Sequence, residues 1–221
     1  MKKLLVCMLC GLLLVGCGKT NSENEVIEEG QTEASQETKE VVSEQPAEQS
    51  EDIARVEPEV QLDLDITGCD TFTQIVDKVL EPGMGYTNET IGDTDALLVC
   101  SGAYDNMDGN MAAIDAAIYV YNDGAPECIG YVNSMGTAYP LAIKDGHLYV
   151  GIYHGTAKYT IENNKLVEVD SAWTEYDENG GEFYYSQSGD EKNEMDNDEK
   201  IVELESEYAE ATVLNFDVIK E

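Results

Sequence analysis

Arginine is almost missing from this sequence. Arg55 is the single one in 221 residues, and eleven lysines and two histidines complete the basic side chains against 46 acids. A formal charge of −34 excludes generic binding of nucleic acid, which begins with cationic side chains neutralising phosphates. The same field is repelled by anionic headgroups, so attachment to a membrane has to come from something other than surface charge. Long apolar runs are scarce too. The longest, residues 4–15, is about a dozen residues, too short for a bilayer span of ~20. No CxxC pair or His/Cys spacing of the zinc type occurs, nor GxSxG, SxxK or HExxH. Gly83-Met84-Gly85-Tyr86 lacks the preceding strand and the lysine of a phosphate-binding loop.

What is present begins with an address. Lys2 and Lys3 precede the apolar run, the pattern of a cleavable signal peptide over residues 1–16. The run ends in Leu14-Val15-Gly16-Cys17, which resembles the lipobox of bacterial lipoproteins, where the Cys sulfur is lipidated and cleavage occurs just before it. Two acyl chains such as diacylglycerol give stable anchoring where one is marginal. The expectation is a mature protein beginning at Cys17, held by lipid on the outer face of the cell membrane. Cys7 and Cys10 leave with the signal, so the folded part keeps Cys69, Cys100 and Cys128. An odd number allows one disulfide with a spare thiol. The apolar settings of Cys100 and Cys128 favour buried free thiols instead.

Residues 17–61 follow as a lipidated Cys and an acidic tether. Residues 18–61 hold 13 acids, three bases, Pro46, Pro58 and no aromatic side chain. Such a segment buries too little apolar surface to offset chain entropy, and its like charges keep it extended. A flexible chain of this length reaches ~35–40 Å, enough to lift a domain off a lipid surface.

Residues 62–221 carry all 13 tyrosines, 33 acids and seven lysines. Thr71-Phe72-Thr73-Gln74 resembles a capping box, and Phe72, Ile75, Val76, Val79 and Leu80 share one helical face before Pro82-Gly83. Thereafter the period is two. Strands are expected over 96–101, 117–121, 127–132, 141–144, 147–153, 157–162 and 166–169, then 173–176 and 182–186. Asn122-Asp123-Gly124, Lys144-Asp145-Gly146 and Asn163-Asn164 supply turns between them. The polar stretch 189–199 reads as a loop, Ile201, Leu204 and Tyr208 as a second helix, and 212–219 as a closing strand. Connections this short demand antiparallel neighbours. The expected fold is α+β, mainly β: an antiparallel meander forming a curved sheet or small sandwich, with two short helices. Strand for only two propeller blades argues against a closed ring.

Lys144-Asp145-Gly146-His147-Leu148-Tyr149-Val150, followed by Lys158-Tyr159-Thr160-Ile161 and Lys165-Leu166-Val167-Glu168, resembles a group of extracytoplasmic lipoproteins of Gram-positive gut anaerobes that lack an assigned function. The resemblance spans about residues 86–219. It rests on strand and turn patterns, so it implies architecture and location and transfers no functional residue.

Three candidate sites follow from residue type. Asp105, Asn106 and Asp108, with Asp115 beyond Gly109, are the nearest approach to a calcium loop, since a hard dication wants several oxygens converging around a glycine turn. They miss the EF-hand register. The second acidic run, 190–199, reads as a solvated loop and helix N-terminus. Tyr119, Tyr121, Tyr149, Tyr153 and Tyr159 lie on strands and offer a platform for sugars or peptides, with Trp173 and Tyr139 at its rim. The competing account is that alternation simply places tyrosines on the wetter side of a sheet. For catalysis, His154 could act as a base beside Ser134 or Ser101 and a carboxylate.

The expectation is therefore a tethered surface lipoprotein whose β-rich domain is a non-catalytic binding module for a peptide, a glycan or a cationic protein partner. A hydrolase using His154 with a carboxylate is one alternative, and a structural module stabilised by calcium is another. No cofactor is implied beyond that calcium, and no nucleic acid.

Overall fold

A computed structural model describes residues 61–221. The signal, lipidation and tether readings, Cys17 among them, lie outside the described residues. Helix α1 (Phe72–Lys78) opens the fold. Thr71, in extended conformation, caps it by accepting the Gln74 N–H on Oγ1 at 3.2 Å, and Gln74 Oε1 reaches back to accept the Asp70 N–H at 2.7 Å.

Every strand pair that follows is antiparallel. The first sheet takes β1 (Gly85–Ile91), β2 (Thr94–Cys100), β5 (Asp115–Asn122) and β6 (Ala125–Asn133). Between β2 and β5 the short hairpin β3 (Tyr104–Asp105) and β4 (Met111–Ala112) stands apart. The second sheet is a meander of β7 (Ala142–Lys144), β8 (His147–Ile152), β9 (Gly155–Glu162), β10 (Lys165–Tyr176), β11 (Glu182–Ser188) and β12 (Glu191–Met195). Helix α2 (Glu199–Ala209) then crosses that sheet. The chain ends by pairing β13 (Thr212–Val213) with β7 of the second sheet and β14 (Asp217–Val218) with β1 of the first.

The turns obey their chemistry. Asp123-Gly124, Asp145-Gly146 and Asn163-Asn164 all have positive φ at both positions, the primed turn that matches strand twist. Alternation then sorts the side chains into layers. Ala96, Leu98 and Cys100 of β2 and Ala116, Ile118 and Val120 of β5 face Leu148, Val150 and Ile161 of the second sheet. Their neighbours Leu97, Val99, Ala117 and Tyr119 face the other way, into Ile75 and the half-buried Phe72, Val76 and Leu80 around α1. On the far side of the second sheet, Ala172 meets Ile201 and Leu204 of α2. The result is a helix, two sheets and a helix in four layers, and β2 and β5 are apolar on both faces because both faces are covered. Of the curved sheet and the small sandwich, the molecule adopts the sandwich. Leu214 and Phe216 sit in the inter-sheet core between β13 and β14, so the chain end clasps the two sheets together.

Four details differ from the sequence reading. Strand β1 carries no alternating apolar signal, because Gly85-Tyr86-Thr87-Asn88-Glu89 is polar and the strand is buried chiefly at its ends. The two runs 166–169 and 173–176 are one strand, β10, with a bulge between Glu168 and Asp170 where the pattern slips by one residue. The acidic stretch contains a strand, β12, at the edge of the second sheet. The closing strand is two strands, since Leu214 and Phe216 turn inward between them.

Candidate functional site

The tyrosines do not make one platform. Tyr119 is buried beneath α1, where burial, with Cys128 and Tyr131 beside it, pushes its hydroxyl well above the usual range. Tyr121 stacks on Phe72 at 4.3 Å and accepts the Phe72 N–H at 3.1 Å, extending the helix cap. Tyr149 faces α2 and is buried. Tyr159 points into the inter-sheet side and donates to Glu168 at 2.8 Å. Trp173 is buried on that same side of its sheet, farther along, and donates from Nε1 to Glu175 at 2.9 Å. Among these candidates only Tyr153, in the β8–β9 turn, presents most of its ring to solvent. Tyr139, half exposed, packs its Cβ over Gly151 and approaches Tyr208 at 6.2 Å. The platform reading is corrected by layering: strand alternation spreads these rings over three surfaces, two of which helices cover.

The calcium-loop residues are separated as well. Asp105 accepts the Met107 N–H at 2.8 Å, and Asp108 accepts the Asn110 N–H at 2.9 Å and the Asn106 side-chain amide at 3.0 Å. These bonds close the β3–β4 turn on itself and hold the Asp108 carboxyl below its usual range. Asp115 is buried elsewhere, accepting the Ser101 N–H at 2.9 Å. Among the described residues no three His, Cys, Asp or Glu side chains are grouped to hold a metal ion.

His154 has positive φ in the β8–β9 turn, and its ring lies 3.9 Å from Tyr153 and 5.0 Å from Tyr176. Among the described residues it makes no hydrogen bond to a carboxylate, the arrangement a histidine-dependent hydrolase needs. Ser134 is buried and donates to the carbonyls of Tyr139 and Gly151, so its hydroxyl ties a loop to β8. His147 faces the Asp145 carbonyl at the opposite end of β8. Among the described residues, Cys69, Cys100 and Cys128 are free thiols. Cys100 lies between the sheets, and burial, helped by the Asp115 charge, pushes its thiol up to about 11.

Two groups of polar and aromatic side chains do assemble on the second sheet. Facing α2, Glu207 accepts from the Tyr149 hydroxyl at 2.7 Å and pairs with Lys158 at 2.8 Å, while Lys144 pairs with Glu210 and Lys200 with Asp170, each at 2.7 Å. Hydrogen bonds from Lys158 and Tyr149 hold the Glu207 carboxyl below its usual value. On the opposite face, Lys192 of β12 lies 4.2 Å from the Tyr185 ring centre and 5.2 Å from that of Trp173, with Glu175 at 3.3 Å. Trp173 and Tyr185 stack at 5.8 Å. Near the same hairpin, but facing α2's side, Tyr176 stands in register with Glu182, which accepts the Tyr184 hydroxyl at 2.7 Å.

No protein-family model, curated protein or solved structure matches this chain. Sequence reasoning passed over Tyr176, Glu182, Tyr184, Tyr185 and Lys192. The signal that finds them is the density of aromatics on either side of Asp177-Glu178-Asn179-Gly180-Gly181: a hairpin there sets Trp173 opposite Tyr185 on one face and places Tyr176 and Tyr184 together on the other. A surface depression of about 530 Å³ lies elsewhere, lined by Asp63, Leu64, Asp65, Ile66, Thr67 and Pro126, and holds none of the candidate side chains.

Proposed function

We propose that this chain is a lipoprotein anchored through Cys17 to the outer face of a bacterial cell membrane, whose β-rich domain is a non-catalytic binding module for a peptide, a glycan or a cationic protein partner. The observation that carries the anchoring is Leu14-Val15-Gly16-Cys17 behind a basic and apolar leader. Non-catalytic binding is supported by His154 and Ser134, whose contacts serve a turn and a loop, while aromatic rings and carboxylates gather on the second sheet. A cationic partner is the class that 33 acids against seven lysines attract over residues 62–221.

The test is expression in a bacterial host fed labelled palmitate, with fractionation of membranes. The expected outcome is label and membrane retention for the parent, and loss of both for Cys17→Ala with the domain still folded by circular dichroism. Membrane retention of the unlabelled variant would defeat the anchor.

A further inference from the structure

Large apolar side chains exposed together at one place on a protein surface mark a contact surface, whereas ones scattered singly do not. Tyr153 is 64% exposed and Tyr176 51% exposed, and the His154 ring lies between them. The His154 carbonyl accepts the Thr174 N–H at 3.1 Å, which pins the β8–β9 turn to β10 and so fixes that ring beside Tyr176. Glu182, opposite Tyr176 in register, is held by the Tyr184 hydroxyl, so a carboxylate is positioned beside the rings.

The other face of the same hairpin carries the same chemistry already filled. There Lys192 rests on Tyr185 and Trp173 with Glu175 against its ammonium. Rings and a carboxylate of this kind take up a cation because the ring quadrupole and the charge act together. On the α2 side, among the described residues, no lysine lies over Tyr153 or Tyr176, and Lys144, Lys158 and Lys200 are engaged by Glu210, Glu207 and Asp170. A second copy of this chain would bring like charge to the surface, and a neutral glycan would gain nothing from it. Resting on the cationic-partner reading above, we propose that Tyr153, His154, Tyr176 and Glu182 form the docking surface for a lysine- or arginine-bearing peptide segment of a partner protein.

The probe is fluorescent hexaarginine, with a neutral Gly/Ser hexapeptide as its control, titrated onto the full chain in neutral detergent at about 0.15 M salt, where surface charge is largely screened. The expected result is saturable binding of hexaarginine. Replacing Tyr153→Ala and Tyr176→Ala together weakens it about tenfold, and Glu182→Gln weakens it a few-fold. The pair Glu191→Gln and Glu194→Gln on β12, which removes more charge, changes it by no more than about twofold. Tyrosine replacement leaves the net charge unchanged, so its effect reports the rings. In the parent, the His154 ring-proton NMR signals should move on saturation while those of His147, at the far end of β8, stay put. That measurement needs no variant to fold.

Unmoved His154 signals, or a Tyr→Ala variant that binds as the parent does, would overturn this surface while leaving a cationic partner in place. Equal binding of the neutral peptide would overturn the cationic class. Absence of hexaarginine binding by the parent would overturn the cationic-partner reading itself.

Discussion

Gly155 shows how little freedom some single positions have. A Cβ there would lie 2.0 Å from the Ala172 carbonyl oxygen and 2.7 Å from the Trp173 Cα, both backbone atoms that cannot move without parting β9 from β10. At Gly102 the nearest atom to such a Cβ is 3.9 Å away, and its φ is outside the left-handed region. Gly155→Ala should therefore cost about 3 kcal/mol or more in urea unfolding, and Gly102→Ala should lie within about 0.5 kcal/mol of the parent. Equal effects would mean that β9 and β10 are not in this register. The thiols make a second prediction at this scale. Cys100 is buried, with its thiol at about 11, so at pH 8 it is both inaccessible and protonated. A thiol reagent should modify the half-buried Cys128 first and reach Cys100 only at the rate of unfolding; prompt modification of Cys100 would contradict its place between the sheets.

Helix α2 is the element whose attachment depends most on charge. Only Ile201 and Leu204 are buried; Tyr208 adds a neutral hydrogen bond to the Pro140 carbonyl at 2.7 Å, and the charged contacts are Glu207 on Tyr149 and Lys158, Lys200 on Asp170 and, at the C-cap, Glu210 on Lys144. Glu207 titrates below its ordinary 4.5, so its contribution is fully present above about that pH and is lost as pH falls through the depressed value. Glu207→Gln should cost about 1–2 kcal/mol at pH 7, since Lys158 and the buried Tyr149 hydroxyl lose a charged partner. The gap between parent and variant should close as pH falls below about 4.5. A gap unchanged at pH 3 would show that packing, not the ion pair, was being measured. Much at this scale was legible beforehand. Thr71 and Gln74 announced α1, the Asp-Gly and Asn-Asn pairs announced the hairpins, and Ile201 with Leu204 announced α2. Strand β12 was hidden because an edge strand exposed on nearly every residue has no apolar face to betray it. The aromatic site was hidden for another reason. Tyr119, Tyr149 and Tyr159 look like Tyr153 in sequence, and only the packing of α1 on Tyr119, of α2 on Tyr149 and of the first sheet on Tyr159 decides which rings water reaches.

For the molecule as a whole the dominant fact is charge of one sign. The domain over residues 62–221 carries 33 acids and seven lysines, and four of those lysines are already spent in pairs with Glu210, Glu207, Glu175 and Asp170. The remaining carboxylates repel one another across the surface, and repulsion of this kind opposes the compact state. At low ionic strength it acts over ~30 Å, the scale of the domain, whereas at 0.15 M it is screened beyond ~8 Å. Thermal unfolding of the full chain should therefore shift upward by several degrees between about 0.01 and 0.3 M sodium chloride. Calcium is the informative comparison. A cation that binds only the folded state raises the melting temperature in a saturable way set by its affinity, while general screening depends on ionic strength alone. Because Asp105 and Asp108 are turned onto their own loop and Asp115 is buried away from them, millimolar calcium should do no more than magnesium at matched ionic strength. A saturable rise specific to calcium, abolished by EDTA, would mean that these carboxylates rearrange into a site on binding. It would also move the acidity of the chain from partner attraction toward cation-dependent stability.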